Sequence, residues 1–199
     1  MSVVNTVNMS ESKDQILLCA RDIFLKEGLS HFSMRKVASC VGMSATALYR
    51  HYANKEELLF QVILRGYRIF SRYLEKINDT QDPLVCLEKS LLAYLNFAFT
   101  EKPYYEVMFM SNDQMTGLKK LNSAGAAEMR HSFELLQNRV QRAIDQKLVK
   151  TDDSYVASFG LWAYAHGQVS LFLSGRAEVS RKQFVKVYTS SIKSYIRQM

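Results

Sequence analysis

From Gly28 to Lys55 the chain carries Arg35, Lys36, Arg50, Lys55, His31 and His51 and not one carboxylate. A nucleic-acid backbone is a row of anionic phosphates, so an acid facing it would be repelled and would have to shed its water. Cations without acids are the chemistry such a surface needs. Arg50 has two uses there: its fork can bond guanine O6 and N7 together, or it can clamp a phosphate. Thr46 can meet a thymine methyl or a phosphate, while Ala45 and Ala47 offer only apolar contact or close approach. No residue set in the chain suggests catalysis. The four histidines, His31, His51, His131 and His166, are scattered, and there is no HExxH, GxSxG, P-loop or paired-cysteine motif. The expectation is therefore no enzyme, no cofactor and no metal.

The elements that must hold these residues can be read from the local pattern. Ser33 to Tyr52 reads as two short helices broken at Gly42-Met43. Val37, Ala38 and Val41 share a face of the first, and Leu48 and Tyr52 share a face of the second. Ser33 and Ser44 stand at the two helix starts, each with an oxygen to cap an orphan N–H. Two helices about a glycine turn make a helix-turn-helix, whose second helix enters a major groove. Eight residues from Ser44 to His51 would give a helix of about 12 Å, roughly the groove's width. With Leu48 and Tyr52 inward, Ala45, Thr46, Tyr49 and Arg50 face outward.

Several runs agree in register with one known pattern: Gly28 to Ala38, Val41-Gly-Met-Ser44, Leu48-Tyr-Arg-His-Tyr52 and Lys55-Glu-Glu-Leu-Leu59. Together they resemble the tetracycline-repressor (TetR) family of bacterial transcription regulators, over roughly residues 13–60. By that resemblance Tyr49, His51 and Lys55 match positions that bind the DNA backbone, and Arg35 matches one that reaches the groove edge. Ser33 would cap its helix and donate to a phosphate. The expected contact set is Ser33, Arg35, Ser44, Ala45, Thr46, Tyr49, Arg50, His51 and Lys55. His51 has the alternative of a packed structural histidine, and Tyr49 that of a brace. Ala47 departs from the family, where many members carry threonine, and Thr46 can replace that hydroxyl in part.

Length, charge and punctuation set the frame. The chain has 199 residues, 48% of them hydrophobic, with two prolines and eight glycines. Long amphipathic stretches with few breakers predict an all-α fold of about nine helices, the number the resemblance also implies. The net charge of +7 suits a polyanion, yet residues 1–60 hold seven Lys/Arg against six Asp/Glu, so most of the excess lies downstream. The acid-free window is the better sign. The first residues do not read as a secretory leader and no apolar run reaches membrane length, so the expectation is a cytoplasmic protein without membrane contact. Cys19, Cys40 and Cys86 show no metal-ligand spacing. They read as small core residues in a reducing compartment, with redox sensing as the alternative.

The expected organisation is a disordered arm over 1–10, a helix-turn-helix domain over 11–54 and a helical body over 55–199. Ser12 with Gln15 has capping-box spacing at the first helix, Asn54 with Glu57 at the fourth, and Ser180 with Gln183 at the last. Asp82-Pro83 opens the fifth helix. A sixth begins at Pro103, Ser111–Gly117 reads as a loop, and a long helix spans about Leu118 to Lys147. The last two helices cover Asp153–Leu173 and Ser180–Ile196.

By resemblance the body binds a small effector and pairs two chains on a pseudo-palindromic operator in double-stranded DNA. Tyr94, Phe97, Tyr105, Met108, Phe109, Phe133, Trp162 and His166 are the candidate pocket, suited to an apolar or aromatic molecule. The same residues also suit a plain core. Trp162, His166 and Gly167 form Trp-x-x-x-His-Gly, similar to the signature of one C-terminal subclass. Trp162 and His166 lie one turn apart, as pocket lining or as a hydrogen-bonded structural pair. Gly160, Tyr164, Gly167, Tyr188, Ile192 and Tyr195 are the candidate dimer interface, unless those stripes bury within one subunit. The expected function is a ligand-released homodimeric repressor. An architectural DNA-binding protein without ligand control, or an activator, is the alternative.

Overall fold

A computed structural model describes residues 3–110 and 123–199. Among the described residues there are nine α-helices, one π-helical turn and no strand. The first helix, α1 (Val3–His31), bends at Gly28, whose φ of 72° lies in the left-handed region that glycine enters at little cost. It begins at Val3, so Ser12 is an interior residue and not the expected cap, and residues 3–10 are helical in place of the expected arm. The segment before Ser12 holds no glycine or proline, and extending a formed helix costs far less than starting one.

Next come α2 (Met34–Cys40), α3 (Ala45–Tyr49) and α4 (Lys55–Glu75). At the start of α4 the Asn54 side chain accepts from the Glu57 N–H at 2.8 Å, and the Glu57 carboxylate accepts from the Ala53 N–H at 2.6 Å. Helix α5 (Pro83–Thr100) is capped by Asp82, which accepts from the Leu84 N–H at 2.7 Å. A short α6 (Lys102–Tyr105) runs into the π-helical turn Glu106–Met110. Helix α7 (Ser123–Asp145) follows; the expected loop Ser111–Gly117 and helix start at Leu118 lie outside the described residues. Asp153 caps α8 (Ser154–Leu173), and Ser180 with Gln183 makes the expected capping box for α9 (Arg181–Gln198).

The chain divides into two compact units, one drawn from 1–66 and 101–126 and the other from 67–100 and 127–199. The division falls inside α4, at Gly66. In the first unit α6 and the π turn pack on α1, with the Arg21 guanidinium 4.8 Å from the centre of the Tyr104 ring. Gly66 leaves room for Met108: a β-carbon there would collide with its sulfur. Ile16, Ala20 and Phe24 bury the face of α1 that their spacing predicts, together with Val37, Leu48 and Leu58.

In the second unit α5, α8 and α9 pack on one another. Phe184, Tyr188, Ile192 and Ile196, four residues apart along α9, are its buried stripe. Arg139 of α7 is also buried, with 1% of its side chain exposed, and every arm of its fork is occupied. It donates to Asp79 at 2.6 and 3.0 Å, to the Ser90 hydroxyl at 3.0 Å and to the Leu74 carbonyl at 2.9 Å. A buried guanidinium is tolerable only when satisfied in this way.

Candidate nucleic-acid interface

The first unit seats its outward-facing residues through two caps and one turn. The Ser33 hydroxyl accepts from the Lys36 N–H at 3.3 Å and starts α2, whose Met34, Val37 and Ala38 are buried. At the other end Gly42 N–H donates to Ser39 O at 3.2 Å and Met43 N–H to Ala38 O at 2.9 Å. That pair of bonds is a Schellman ending, which needs a left-handed residue at Gly42; its φ is +70°. The chain reverses there, and Ser44 starts α3 by accepting from the Ala47 N–H at 3.1 Å.

Helix α3 proper is shorter than the eight residues expected. Helical bonding nevertheless continues past it, from Arg50 N–H to Ala47 O at 3.2 Å, His51 N–H to Leu48 O at 2.9 Å and Tyr52 N–H to Leu48 O at 3.1 Å. The last turn is tightened toward 3₁₀ geometry, a common way for a helix to satisfy its final carbonyls. Leu48 and Tyr52 face the core, at 0% and 7% exposure. Thr46, Tyr49 and Arg50 are exposed, Tyr49 by 52%, while Ala45 and His51 are half-buried. His51 also leans on Tyr52, ring centres 6.5 Å apart. Arg35 and Ser44 are exposed, and Ser33 and Lys55 half-buried.

Two acids from outside the window reach it: Glu57, which holds the Ala53 N–H, and Glu27. The Lys36 ammonium pairs with Glu27, just outside the acid-free window, and donates to the His31 carbonyl at 3.1 Å. The lysine's hydrogen bond holds the Glu27 carboxyl below its usual range. Lys36 thus neutralises an acid, and Arg35 and Arg50 are the exposed arginines of the window.

The pocket candidates divide between the units. Tyr105 is fully buried in the first, its ring centre 5.4 Å from that of Phe109, with Met108 beside Gly66. In the second, the Tyr94 hydroxyl and His166 Nδ1 are hydrogen-bonded at 2.8 Å. Trp162 lies against His166 with ring centres 5.8 Å apart, as their one-turn spacing requires. Burial pushes the His166 imidazole below its ordinary pKa, toward the neutral form. Phe97 is buried and reaches Tyr94 by way of Phe70, at 5.0 and 5.5 Å. Phe133 packs instead on Tyr155 at 5.6 Å.

The dimer candidates divide as well. Tyr188 and Ile192 are 0% exposed, and the Tyr188 hydroxyl donates to Leu91 O at 2.8 Å, so these two belong to the subunit's own core and not to an interface. The physical reason is that their stripe faces α5 and α8, not solvent. Tyr195 stacks on Tyr164 at 4.6 Å, and a β-carbon at Gly160 would lie 3.0 Å from its hydroxyl. Gly167 faces open space. Sequence reading missed a wider feature of α8: Tyr155, Val156, Phe159 and Leu171 are exposed by 59, 62, 50 and 51%. The helix contains no Asp, Glu, Lys or Arg from end to end, a sign that was visible in its composition.

The cysteines also differ from expectation. Cys86 is buried, but Cys19 is half-buried, Cys40 is exposed, and the two are joined in a disulfide. Sequence spacing carries no signal for the pair, because its partners lie on different helices.

Residues 16–62 match the sequence model of "bacterial regulatory proteins, tetR family", and residues 87–189 match that of the "tetracyclin repressor-like, C-terminal domain". The second match includes Trp162, His166 and Gly167. An HTH-type transcriptional regulator of Staphylococcus aureus (strain USA300) is 27% identical over 106 residues, 53% of this chain and 57% of that protein. The chain thus matches little more than half the length of this curated relative. Two solved structures share the fold. The TetR family regulator PfmR from Thermus thermophilus has a TM-score of 0.71 at 21% identity, over 92% of this chain and 98% of that one. The fatty acid degradation regulator FadR from Bacillus halodurans has a TM-score of 0.75 at 15% identity, over 90% and 93%.

Proposed function

This chain belongs to the tetracycline-repressor family of bacterial DNA-binding transcription regulators, and on that premise we propose that it is a cytoplasmic homodimeric repressor released by a small apolar or aromatic molecule. The observation that carries the DNA-binding part is the seating of the second short helix. Leu48 and Tyr52 anchor it, and Thr46, Tyr49 and Arg50 are left exposed on a segment without a carboxylate. In this reading Arg50 reads a base edge, Thr46 and Ala45 meet groove atoms, and Ser33, Arg35, Ser44, Tyr49, His51 and Lys55 hold phosphates.

The uncharged exposed face of α8 supports pairing of two chains. Val156, Tyr164 and Leu171 with the small residues Gly160, Ala163 and Gly167 form a stripe along one side of that helix. A contiguous apolar face of this kind is commonly covered in a soluble protein. Two chains would then present two recognition helices to half-sites about 34–36 Å apart, or a multiple of that. The aromatic group of Tyr94, Trp162 and His166 supports an apolar or aromatic effector, with the neutral imidazole as its polar handle. An effector favouring one conformation of the dimer would shift the population toward a head separation that no longer fits both half-sites.

Selection of protein-bound duplexes from a random-sequence pool tests the reading and finds the operator in the same step. Enrichment of one inverted repeat is the expected result. A pool that stays random after several rounds would refute sequence-specific regulation.

A further inference from the structure

Every hydrogen bond that shapes the helix-turn-helix is present while Cys19 and Cys40 are joined. Cys19 lies on α1, and Cys40 is the last residue of α2, next to the Schellman ending at Gly42. Their Cα atoms are 6.1 Å apart, within the range a disulfide spans without backbone movement, about 4.4–6.8 Å. The bond closes a loop with a sequence separation of 21. That loop contains the Gly28 bend, the joint at which α2 could otherwise shift against α1. We propose that Cys19 and Cys40 are a reversible oxidation site for a hydroperoxide, and that closing the bond tightens DNA binding by fixing α2 and the turn that leads to Ser44.

Exposure assigns the order of events. Cys40 is exposed and meets the oxidant, and half-buried Cys19 resolves the product. The Cys40 thiolate attacks the terminal oxygen of the hydroperoxide; the O–O bond breaks and the departing alkoxide takes a proton to become an alcohol. Cys40 is left as a sulfenic acid. The Cys19 thiolate then attacks that sulfur, the S–S bond forms, the S–O bond breaks, and hydroxide leaves and is protonated to water. Two thiols and one hydroperoxide become one disulfide, one alcohol and one water, with two electrons passed from sulfur to oxygen. A pre-ordered head gives up less freedom on binding, which sets the direction of the effect. Cys86 is the internal control, since it is fully buried with its S–H directed at the Asn78 and Gln81 carbonyls.

The test uses the full chain and rests, for its DNA arm, on the regulator reading above. The reduced protein is treated with tert-butyl hydroperoxide, denatured, alkylated and weighed, and its affinity for the selected duplex is measured before and after. We expect three alkylated cysteines before treatment and one after, a Cys19–Cys40 cross-linked peptide, reversal by dithiothreitol, and binding tighter on the order of fivefold or more once oxidised. Cys40→Ser and Cys19→Ser proteins should bind like the reduced wild type and ignore the oxidant. Three alkylated cysteines after treatment, cross-linked dimers in place of the internal bond, or equal or weaker binding by the oxidised form would overturn the proposal. Failure of both forms to bind any selected duplex would sink the regulator reading. Binding by the reduced form with an unchanged thiol count would sink the oxidation site alone.

Discussion

Arg50 and Lys55 are both cations near the second short helix, but the proposed function gives them different work. Arg50 is exposed at the end of that helix, where a guanidinium can reach a base edge. Lys55 is half-buried at the first position of α4 and can offer only a point charge to a phosphate. Arg50→Ala should therefore cost about 1–3 kcal/mol on the selected duplex and relax the preference at one base pair. Lys55→Ala should weaken all sequences alike and lower the salt slope by about one unit. A titration of each variant against cognate and shuffled duplex at several salt concentrations separates the two roles.

A second residue-scale prediction concerns stability. The Arg139 hydrogen bond holds the Asp79 carboxyl below its usual range, so the folded state binds its proton less readily than the unfolded state. This contribution is full above the unfolded carboxylate value, about 3.9, and is lost as pH falls through the lower folded value. Asp79→Asn should lower stability at neutral pH by about 1–2 kcal/mol, the lower range because water can reach a half-exposed carboxylate. It should also remove part of the decline expected on acidification. Urea denaturation of both proteins between neutral and acidic pH measures the two effects together.

At the scale of elements, the turn between the two short helices is held by conformation and not by space. A β-carbon at Gly42 would meet nothing within 4 Å, yet φ there is +70°. Gly42→Ala should therefore cost about 1 kcal/mol through backbone preference alone, read as a lower denaturation midpoint. This turn, with Ser33 and Ser44, is legible in sequence because caps and glycine turns are local chemistry. The start of the first helix is not, since Asn5, Thr6, Asn8 and Ser12 can each begin a helix and no glycine or proline among residues 3–12 chooses between them. In the last helix the four-residue spacing of Phe184, Tyr188, Ile192 and Ile196 announces a buried face. Periodicity says that a face is covered; it does not say by which chain. That is why spacing alone can assign Tyr188 and Ile192 to a partner when α5 and α8 of the same subunit cover them. The Cys19–Cys40 bond is hidden for a related reason, because pairing across helices leaves no mark on local spacing.

At the scale of the molecule, the proposal needs two chains. The helix α8, with exposed Val156, Phe159 and Leu171 and no charge, is the surface on which they would meet. Placing a carboxylate at its centre, as in Phe159→Glu or Gly167→Glu, should shift the mass measured by sedimentation from dimer to monomer while helical content is retained. An unchanged mass would move the interface elsewhere. Monomers should also lose most of their preference for an inverted repeat, because one head reads only half of it.

In the proposed function this chain reads sequence and does not merely hold DNA. Fluorescence anisotropy at fixed near-physiological salt, with the selected duplex and a shuffled control, separates the two. A sequence reader should prefer the selected duplex by roughly a thousandfold or more. Equal affinity for both would contradict it and leave an architectural protein that grips the phosphate backbone alone.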